Sequence, residues 1–460
     1  MLGFLRVAGR NIVSSAGPIH LRGVGLGGWM NMENFITGFP AYEEAVREAL
    51  LRRYGVTWYE TFFEQFLQEF FTEDDAKFLA SLGFNLVRIP VNYRHLESDL
   101  EPGVIRSEGF RHLDRVIDLC SRHGIYTIID LHAAPGYQNQ DWHSDNPTHV
   151  ALLWKHRHFQ DRVVALWRAI AEHYRDNPWV AGYNLLNEPA DPTNSLYVDL
   201  YRRIRAAVRE VDPHHLFFLD GNYYSVDFDA FEEVWPDTVY AVHDYALPGF
   251  IDGGPYPGVS RGEWVDRKVL EETFLRRTRF MQERGAPIWV GEFGPVYTGD
   301  PQRDASRYQL LRDQLEIYER YGVSWAIWTY KDIGLQGLVT VRPDSLWMQR
   351  IHSFLEKKQR LGADAWGSLD TEIRSVLEPI EQLFAREFPA FQPYSFRTAR
   401  WLIHRLVRHI LISEALVPDF VQCFADLSVD ELPALMESFR FANCQVREPL
   451  CAILAEYARR

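Results

Sequence analysis

Two glutamates stand at the ends of apolar runs that have the character of buried strands. The run VAGYNLLN, residues 180–187, is followed at once by Glu188 and Pro189, and the run PIWVGEF, residues 287–293, carries Glu292 near its end. A strand interior favours apolar and β-branched side chains, so a carboxylate in this place is carried to the strand end, where a substrate can meet it. Two such carboxylates without metal-ligand spacing suit hydrolysis of a glycosidic bond, because one can protonate the leaving oxygen while the other attacks the anomeric carbon or activates water.

Other polar and aromatic side chains end similar runs, and their types suit a sugar ligand. Asn187 can hold a hydroxyl next to the attacked carbon, and Trp328 can stack on the apolar face of a sugar ring. Arg88 and Tyr245 can orient Glu292 as an anion. Each residue alone has an ordinary structural explanation, whereas the whole set at strand ends favours one site. The strand-end residues are Arg88, Asp130, His132, Asn187, Glu188, His243, Asp244, Tyr245, Glu292 and Trp328.

Eight apolar runs alternate with longer amphipathic stretches between residue 20 and about residue 335, which predicts an α/β fold, a closed (β/α)8 TIM barrel. An open, doubly wound sheet is the alternative. The segment GVGLGG after the first run lacks the helix start and the acidic residue of a dinucleotide fingerprint, so we interpret it as a tight turn. The runs lie at 20–27, 84–91, 125–132, 180–187, 216–222, 239–245, 287–293 and 323–330.

Two further regions do not follow the strand pattern. Residues 40–75 are rich in helix formers and predict a helical insertion within a catalytic barrel that spans 1–355. Residues 356–460 predict an α-helical C-terminal appendage. Its segment RTARWLIHRLVRHI has a basic face and an apolar face; docking on the barrel or on a second copy of the chain, which would form a homo-oligomer, is favoured over contact with a membrane. The expected helices of the appendage are 370–387, 396–416, 429–441 and 446–458.

Composition excludes several classes of function. The formal charge of −14 over 460 residues argues against a nucleic-acid or anionic-lipid partner, and no apolar run is long enough for a membrane span. No HExxH or CxxC pattern occurs, so we expect neither a metal nor a cofactor. The four cysteines are irregularly spaced and the N-terminus lacks a signal-peptide core, so we expect a cytoplasmic protein if Met1 is its natural start, and a secreted one if a leader has been removed.

At these residues the sequence resembles glycoside hydrolase family 5, a retaining family built on a (β/α)8 barrel, over roughly residues 18–345. The family's acid/base lies in an Asn-Glu-Pro motif after strand four, which Glu188 matches, and its nucleophile ends strand seven, which Glu292 matches. The resemblance therefore implies that Glu188 is general acid and then base, and that Glu292 is the nucleophile. The family's remaining invariant positions match Arg88, His132, His243, Tyr245 and Trp328.

Within the family the sequence is most similar to the fungal exo-β-1,3-glucanases. The stretch GVGLGGWMNMENFIT repeats their glycine-glycine-tryptophan turn, and LHAAPGYQNQDWHSDN resembles their loop after strand three. In those relatives the corresponding residues close one end of the cleft and grip a terminal glucose. The loop is longer here and contains Trp142 and His143, so we expect it to shape the entrance. The residues implied to bind substrate in these two stretches are Glu33, Gln138, Asn139, Trp142, Asp145 and Asn146.

The sequence therefore predicts a retaining, exo-acting β-glycosidase of the β-glucosidase or exo-β-1,3-glucanase kind, acting on β-linked oligosaccharides or glycoconjugates. An open-cleft endo-β-glucanase or endo-mannanase, a β-mannosidase and a glycolipid β-glucosidase are alternatives within the family. A non-catalytic carbohydrate-binding barrel is the alternative from another class. If Glu188 is the acid, we expect the charge on Glu292 to raise its pKa.

Overall fold

The computed structural model describes residues 3–364 and 366–460, and its centre is a closed barrel of eight parallel strands. Each strand follows its predecessor in the chain, and β8 pairs with β1 to close the ring. The predicted (β/α)8 barrel is thereby confirmed, and every predicted run contains its strand or most of it. Strands β1 to β8 are Arg22–Gly25, Leu86–Asn92, Tyr126–Ala133, Val180–Asn184, Leu216–Asp220, Thr238–His243, Ile288–Glu292 and Ser324–Ile327.

Large side chains fill the lower part of the barrel, so it is a packed core and not a pore. Leu86, Ile128, Phe218 and Trp289 point inward and are almost fully buried. A small antiparallel sheet near the N-terminus, which contributes the buried Ile12 to the same cluster, covers this end. Its strands are Arg6–Ala8, Asn11–Ser14 and Gly17–Pro18. The open end of the barrel is therefore the one at the carboxyl ends of the strands, where the polar residues lie.

Helices surround the barrel. The predicted insertion near residues 40–75 contains two long helices, and a third follows it before β2. The crossover from β5 to β6 has no regular helix: Phe228, Phe231 and Trp235 fill the outer layer there with buried aromatic rings. The helices are Glu43–Tyr54, Val56–Phe70, Glu73–Ser81, Arg111–Arg122, Arg157–Tyr174, Leu196–Arg209, Arg267–Arg277, Arg279–Arg284, Pro301–Tyr321 and Leu346–Arg360.

The C-terminal region is helical, as predicted, apart from the short strand Cys444–Val446, which pairs antiparallel with Val339–Val341. Its aromatic side chains join the core around the insertion, where Phe424 contacts both Trp58 and Trp347. The division of the chain near residue 355 stays a prediction. The helical segments are Arg374–Glu387, Ala399–His404, the π-helical Arg405–Ile412, Val417–Gln422, Leu432–Met436 and Glu448–Ala458.

None of the helices in the described ranges combines the length and the apolar character that crossing a bilayer requires. The basic and apolar segment RTARWLIHRLVRHI lies instead against the barrel. Its Arg405 is buried and donates to the main-chain oxygens of Gln140, Asn146 and Thr148, in the loop after β3. Arg405 and Arg408 of this segment thus face the protein.

A buried ion pair fixes the helix Glu73–Ser81 to the chain after β8. Lys331 Nζ lies 2.7 Å from Asp75 Oδ1, both side chains are fully buried, and the Tyr330 hydroxyl donates to the same carboxylate. We expect Asp75→Ala to lower the free energy of unfolding by about 3–5 kcal/mol, because it leaves the Lys331 charge buried without its partner.

Urea denaturation measures this change. The matched control is Asp74→Ala, which removes an exposed pair with Lys77 and should cost less than about 1 kcal/mol. Equal effects of the two substitutions would show that the buried pair contributes no more than a surface one.

Candidate active site

Glu292, at the end of β7, accepts hydrogen bonds from two donors. Arg88 Nη1 donates to its Oε1 at 2.5 Å, and the Tyr245 hydroxyl donates to its Oε2 at 2.9 Å. Arg88 lies on β2 and is fully buried; its Nη2 also contacts Asn187 Oδ1 at 2.7 Å and Asp130 Oδ2 at 3.1 Å. A guanidinium has five donors in a fixed plane, so these contacts set the orientation of Glu292 and of the groups around it.

Glu188 adopts a strained backbone conformation just beyond β4. Its φ of 49° lies in the left-handed region, which costs a residue with a side chain of order 1–3 kcal/mol. Two neighbours hold it there: Asp220 Oδ2 accepts the Glu188 N–H at 2.9 Å, and Asn139 Nδ2 donates to the Glu188 carbonyl at 3.1 Å. The turn directs the Glu188 carboxylate across the barrel mouth toward Glu292.

The two carboxylates and His243 form one compact group. One carboxylate oxygen of Glu188, one of Glu292 and a ring nitrogen of His243 all lie within 4.8 Å of one another. His243 Nδ1 is 2.7 Å from Glu188 Oε1 and 3.6 Å from Glu292 Oε2. Retaining glycosidases place their carboxyl groups about 5–5.5 Å apart, whereas inverting ones leave about 6.5–9.5 Å for a water molecule. The nearest oxygens of Glu188 and Glu292 are closer together than the inverting separation.

These three residues are also a group of metal-ligand type, so a metal needs consideration. The oxygens of Glu292 already accept hydrogen bonds from Arg88 and Tyr245, and the guanidinium supplies the positive charge that a cation would bring. We therefore assign no metal to this group.

The protonation of Glu188 differs from the sequence-based expectation. Burial raises the pKa of its carboxyl group, but hydrogen bonds from His143 and His243 outweigh burial and hold the pKa below its ordinary value. The pKa values of both histidines are raised: burial opposes the shift, and contact with the surrounding carboxylates overcomes it. The protonation states of Glu188, His143 and His243 therefore depend on one another.

His143 is placed to exchange a proton with Glu188. Its Nε2 lies 3.1 Å from Glu188 Oε2 and 2.9 Å from Asn139 Nδ2. The Asn139 oxygen accepts the Asp141 N–H, so the amide presents its NH2 group to the imidazole. Protonated His143 can donate to Glu188, and neutral His143 can accept from Asn139. His143 Nε2 therefore has a hydrogen-bond partner in both protonation states of the imidazole.

A buried wall lies on the other side of the carboxylates. Trp328 and His132 stack at 5.5 Å between ring centroids, and His132 Nε2 is 3.5 Å from Glu33 Oε1. Asp130 accepts from His132 Nδ1. Burial lowers the pKa of His132, but contact with this carboxylate outweighs burial and raises the pKa to about 10. Gly25 and Gly27 make room for the indole, because a Cβ at either position would lie less than 3.0 Å from it.

In the loop after β3, the side chains that were predicted to bind substrate contact other protein groups. Gln138 is occupied by main-chain groups, including the carbonyls of His132 and Asn187, and Asn139 supports Glu188. Asp145 is engaged by Arg94, Asn92 and the Glu44 N–H. Trp142 packs against His409 of the C-terminal region. Asn146 donates to main-chain oxygens of its own loop. Direct contact of these residues with a substrate stays a prediction.

Sequence reasoning did not assign a role to two residues that contact Glu188. Asp220 ends β5 in the run LFFLDGN and repeats the pattern of the other strand ends, so that pattern was sufficient to find it. Burial raises the pKa of Asp220 to about 6. His143 lies in the long loop after β3. Nothing in its spacing shows that the loop folds back over Glu188.

The mouth opens into a cavity of about 1090 Å³. Glu188, His143 and His243 line it together with residues from the C-terminal region, among them Trp366 and Trp401.

The family model described as Cellulase (glycosyl hydrolase family 5) matches residues 43–334 of this chain. The match covers more than half of the chain, and two glutamates follow β4 and end β7. The chain therefore belongs to glycoside hydrolase family 5 and is a glycoside hydrolase.

Curated relatives extend this similarity to most of the chain. "Beta-xylosidase" of Phanerodontia chrysosporium is 47% identical, with 99% of this chain and 98% of the relative covered. "Probable glucan 1,3-beta-glucosidase A" of Aspergillus fumigatus is 29% identical, with 69% and 84% covered. Among solved structures, an endogalactoceramidase has a TM-score of 0.53 at 20% identity, covering 72% of this chain and 75% of its own. That structural likeness supports the barrel fold.

The proton cluster predicts a pH effect for His143. Because His143 has a raised pKa, it retains its proton above pH 6.5 and can supply it to Glu188. We expect His143→Gln to lower kcat/KM about 10- to 100-fold and to move the alkaline limb of the pH profile to lower pH, since general acid catalysis contributes about 10²- to 10⁴-fold and His243 remains.

Initial rates on an aryl β-glycoside between pH 4 and 9 measure both effects. His158→Gln, at an exposed position on the helix Arg157–Tyr174, is the matched control and should leave the profile unchanged. An unshifted alkaline limb in His143→Gln would contradict the role of His143.

Proposed function

We propose that this protein is a retaining, exo-acting β-glycosidase in which Glu292 is the nucleophile and Glu188 the acid/base. The observation that carries the proposal is the spacing of the two carboxylates, with an oxygen of each within 4.8 Å of the other and of His243. That spacing leaves no room for the water molecule of an inverting reaction.

The first half-reaction transfers the sugar to the enzyme. Glu292 is oriented by Arg88 and Tyr245, and its oxygen attacks the anomeric carbon. The bond to the leaving oxygen breaks at the same time, and Glu188 gives that oxygen a proton. His143 can pass this proton to Glu188 as it is transferred, because Asn139 then donates to the freed imidazole nitrogen, and Glu188 is left as a carboxylate.

The second half-reaction releases the sugar. Glu188 is now a carboxylate and takes a proton from a water molecule, whose oxygen attacks the anomeric carbon and breaks its bond to Glu292. Both displacements invert the anomeric centre, so the product keeps the β configuration. His243, which contacts both glutamates, compensates negative charge during each step.

The buried wall supports exo action. Glu33, His132 and Trp328 are each less than 7% exposed, and they close the site on the side away from the large cavity. A polymer crossing both sides of the glutamates would need an open groove there. We therefore propose that one terminal sugar is released at a time.

The names of two relatives favour two different sugars as the substrate. The 47% identical relative is named a β-xylosidase, which favours β-linked xylose, and the 29% identical relative is named a glucan 1,3-β-glucosidase, which favours glucose. Because the first relative covers almost the whole chain, including the C-terminal region, we propose xylose as the preferred sugar.

Substitution of the two glutamates tests their roles. We expect Glu292→Gly to abolish hydrolysis while binding remains. We expect Glu188→Ala to lower kcat about 10²- to 10⁴-fold on glycosides with a poor leaving group, and less on 2,4-dinitrophenyl glycosides, which need little proton donation. Added azide should give the β-glycosyl azide with Glu188→Ala. Full turnover by Glu292→Gly would refute the assignment of the nucleophile.

Product analysis tests the exo action and the sugar. We expect aryl β-xyloside to be cleaved faster than aryl β-glucoside and aryl β-mannoside, and xylo-oligosaccharides to release xylose alone from the first minutes. Chromatography of the products from xylo-, laminari-, cello- and manno-oligosaccharides distinguishes the possibilities. Mixed shorter oligomers at early times would show an open cleft and refute exo action, while leaving the two glutamates in place.

A further inference from the structure

The large cavity lies on the acid/base side of the barrel mouth. Glu188, His243 and Tyr245 border it, whereas Glu33, His132 and Trp328 are not among the described residues that line it. In the proposed reaction Glu188 contacts the glycosidic oxygen, so the space beyond Glu188 receives the leaving group. We call this space the leaving-group chamber; its volume of about 1090 Å³ is at the upper end of the roughly 300–1,000 Å³ of sites that enclose a small-molecule ligand.

The C-terminal region provides the roof of this chamber. Arg408 and His409, in the π-helical segment Arg405–Ile412, line it together with Arg397 and Trp401. Arg408 is buried and donates to the carbonyls of Gly362, Asp364 and Ser368. A buried guanidinium is costly unless its donors are satisfied, so such contacts fix the roof in place. π-Helical turns occur frequently at functional sites.

Three side chains in the chamber wall have polar atoms without a hydrogen-bond partner among the described residues. Both ring nitrogens of His409, the indole nitrogen of Trp142 and Nε of Arg397 are in this state. His409 and Trp142 are more than 90% buried. Buried polar groups in native proteins are nearly always paired, and two of these three can only donate. A ligand group with acceptor oxygens would satisfy them.

Charged side chains of both signs line the chamber. Three of its aspartates are each paired with an arginine of the same wall, whereas Arg276 forms no ion pair within the described ranges. Arg397 Nη2 lies 3.9 Å from the nearest carboxylate, that of Asp141, and its guanidinium stacks on Tyr224 at 4.3 Å. Arg276 is therefore available to bind a ligand, and Arg397 is held by a carboxylate only through this long contact, while Glu263 of the same wall also forms no ion pair within the described ranges. The three pairs are Asp244–Arg277, Asp252–Arg261 and Asp370–Arg374.

Flat aromatic surfaces complete the wall. Trp366 packs against Tyr245 and Phe250, with ring centroids 5.1 and 4.8 Å apart, and stays partly exposed to the chamber. Trp401 also lines the chamber, from the roof. Aromatic faces of this kind stack on planar rings.

From these observations we propose that the leaving-group chamber binds an aromatic leaving group that carries a carboxylate, so that the substrates are β-glycosides of phenolic acids. Arg397 and Arg276 bind the carboxylate, and Trp366 and Trp401 pack against the ring. The inference rests on the proposed function, since it takes Glu188 as the group beside the glycosidic oxygen.

A pair of matched substrates tests this proposal: the 4-carboxyphenyl β-glycoside of the accepted sugar, and its methyl ester. The esterified phenol is the more acidic and therefore the better leaving group, so intrinsic reactivity favours the ester. We expect kcat/KM to be about tenfold or more higher for the carboxylate, because charge-assisted hydrogen bonds are roughly twice as strong as neutral ones. A preference for the ester by an active wild-type enzyme would overturn the proposal and leave the proposed function standing, whereas no cleavage of any aryl β-glycoside would refute the proposed function itself.

Variants test which arginines cause the preference for the carboxylate substrate. We expect Arg397→Gln and Arg276→Gln each to reduce the ratio of kcat/KM for carboxylate over ester several-fold, and Arg397→Lys to restore part of it. Arg386→Gln, at an exposed position in the helix Arg374–Glu387, is the matched control and should keep the wild-type ratio. As an independent readout, 4-hydroxybenzoate should inhibit the wild type more strongly than its methyl ester and lose that advantage in Arg397→Gln. A wild-type ratio in both glutamine variants would overturn the assignment of the two arginines.

Discussion

The buried guanidinium of Arg88 is the contact on which the rest of the site depends. From β2 it joins side chains of three other strands or their ends: Glu292 from β7, Asp130 from β3, and Asn184 and Asn187 from β4. A charge in this position is stable only when its donors are paired, so the barrel must close in one register for Arg88 to be satisfied. The same contact that stabilises the barrel mouth therefore orients one of the two glutamates.

The other glutamate depends on a different kind of constraint. Glu188 occupies a left-handed conformation, and Asp220 and Asn139 hold its N–H and its carbonyl. Strain of this kind persists only where the surroundings determine it, and it aims the carboxylate at a site that a relaxed strand end would not reach. The histidines that contact it then decide where the proton is stored, which explains why burial alone does not raise its pKa.

The C-terminal region changes what a family 5 barrel presents to a substrate. Its basic segment docks on the barrel through the buried Arg405, and its neighbours Arg408 and His409 line the mouth. The amphipathic pattern of the segment thus reflects packing over the mouth of the enzyme. Residues more than 200 positions from Glu188 in the chain come to share one cavity with it.

The sequence by itself determined the barrel and the two glutamates, because both depend on local patterns. Apolar runs of strand length fix the eight strands, and the carboxyl ends of parallel strands meet at one edge, so Glu188, Glu292 and Arg88 could be placed together without coordinates. The tertiary structure alone decided the position of His143 over Glu188 and the roof formed by residues 366–409. These features depend on how long loops and a distant segment pack, and such contacts leave no periodic signal in the chain. The loop residues Gln138 and Asp145 illustrate the same limit, since their side chains are engaged by protein groups that no spacing in the sequence reveals.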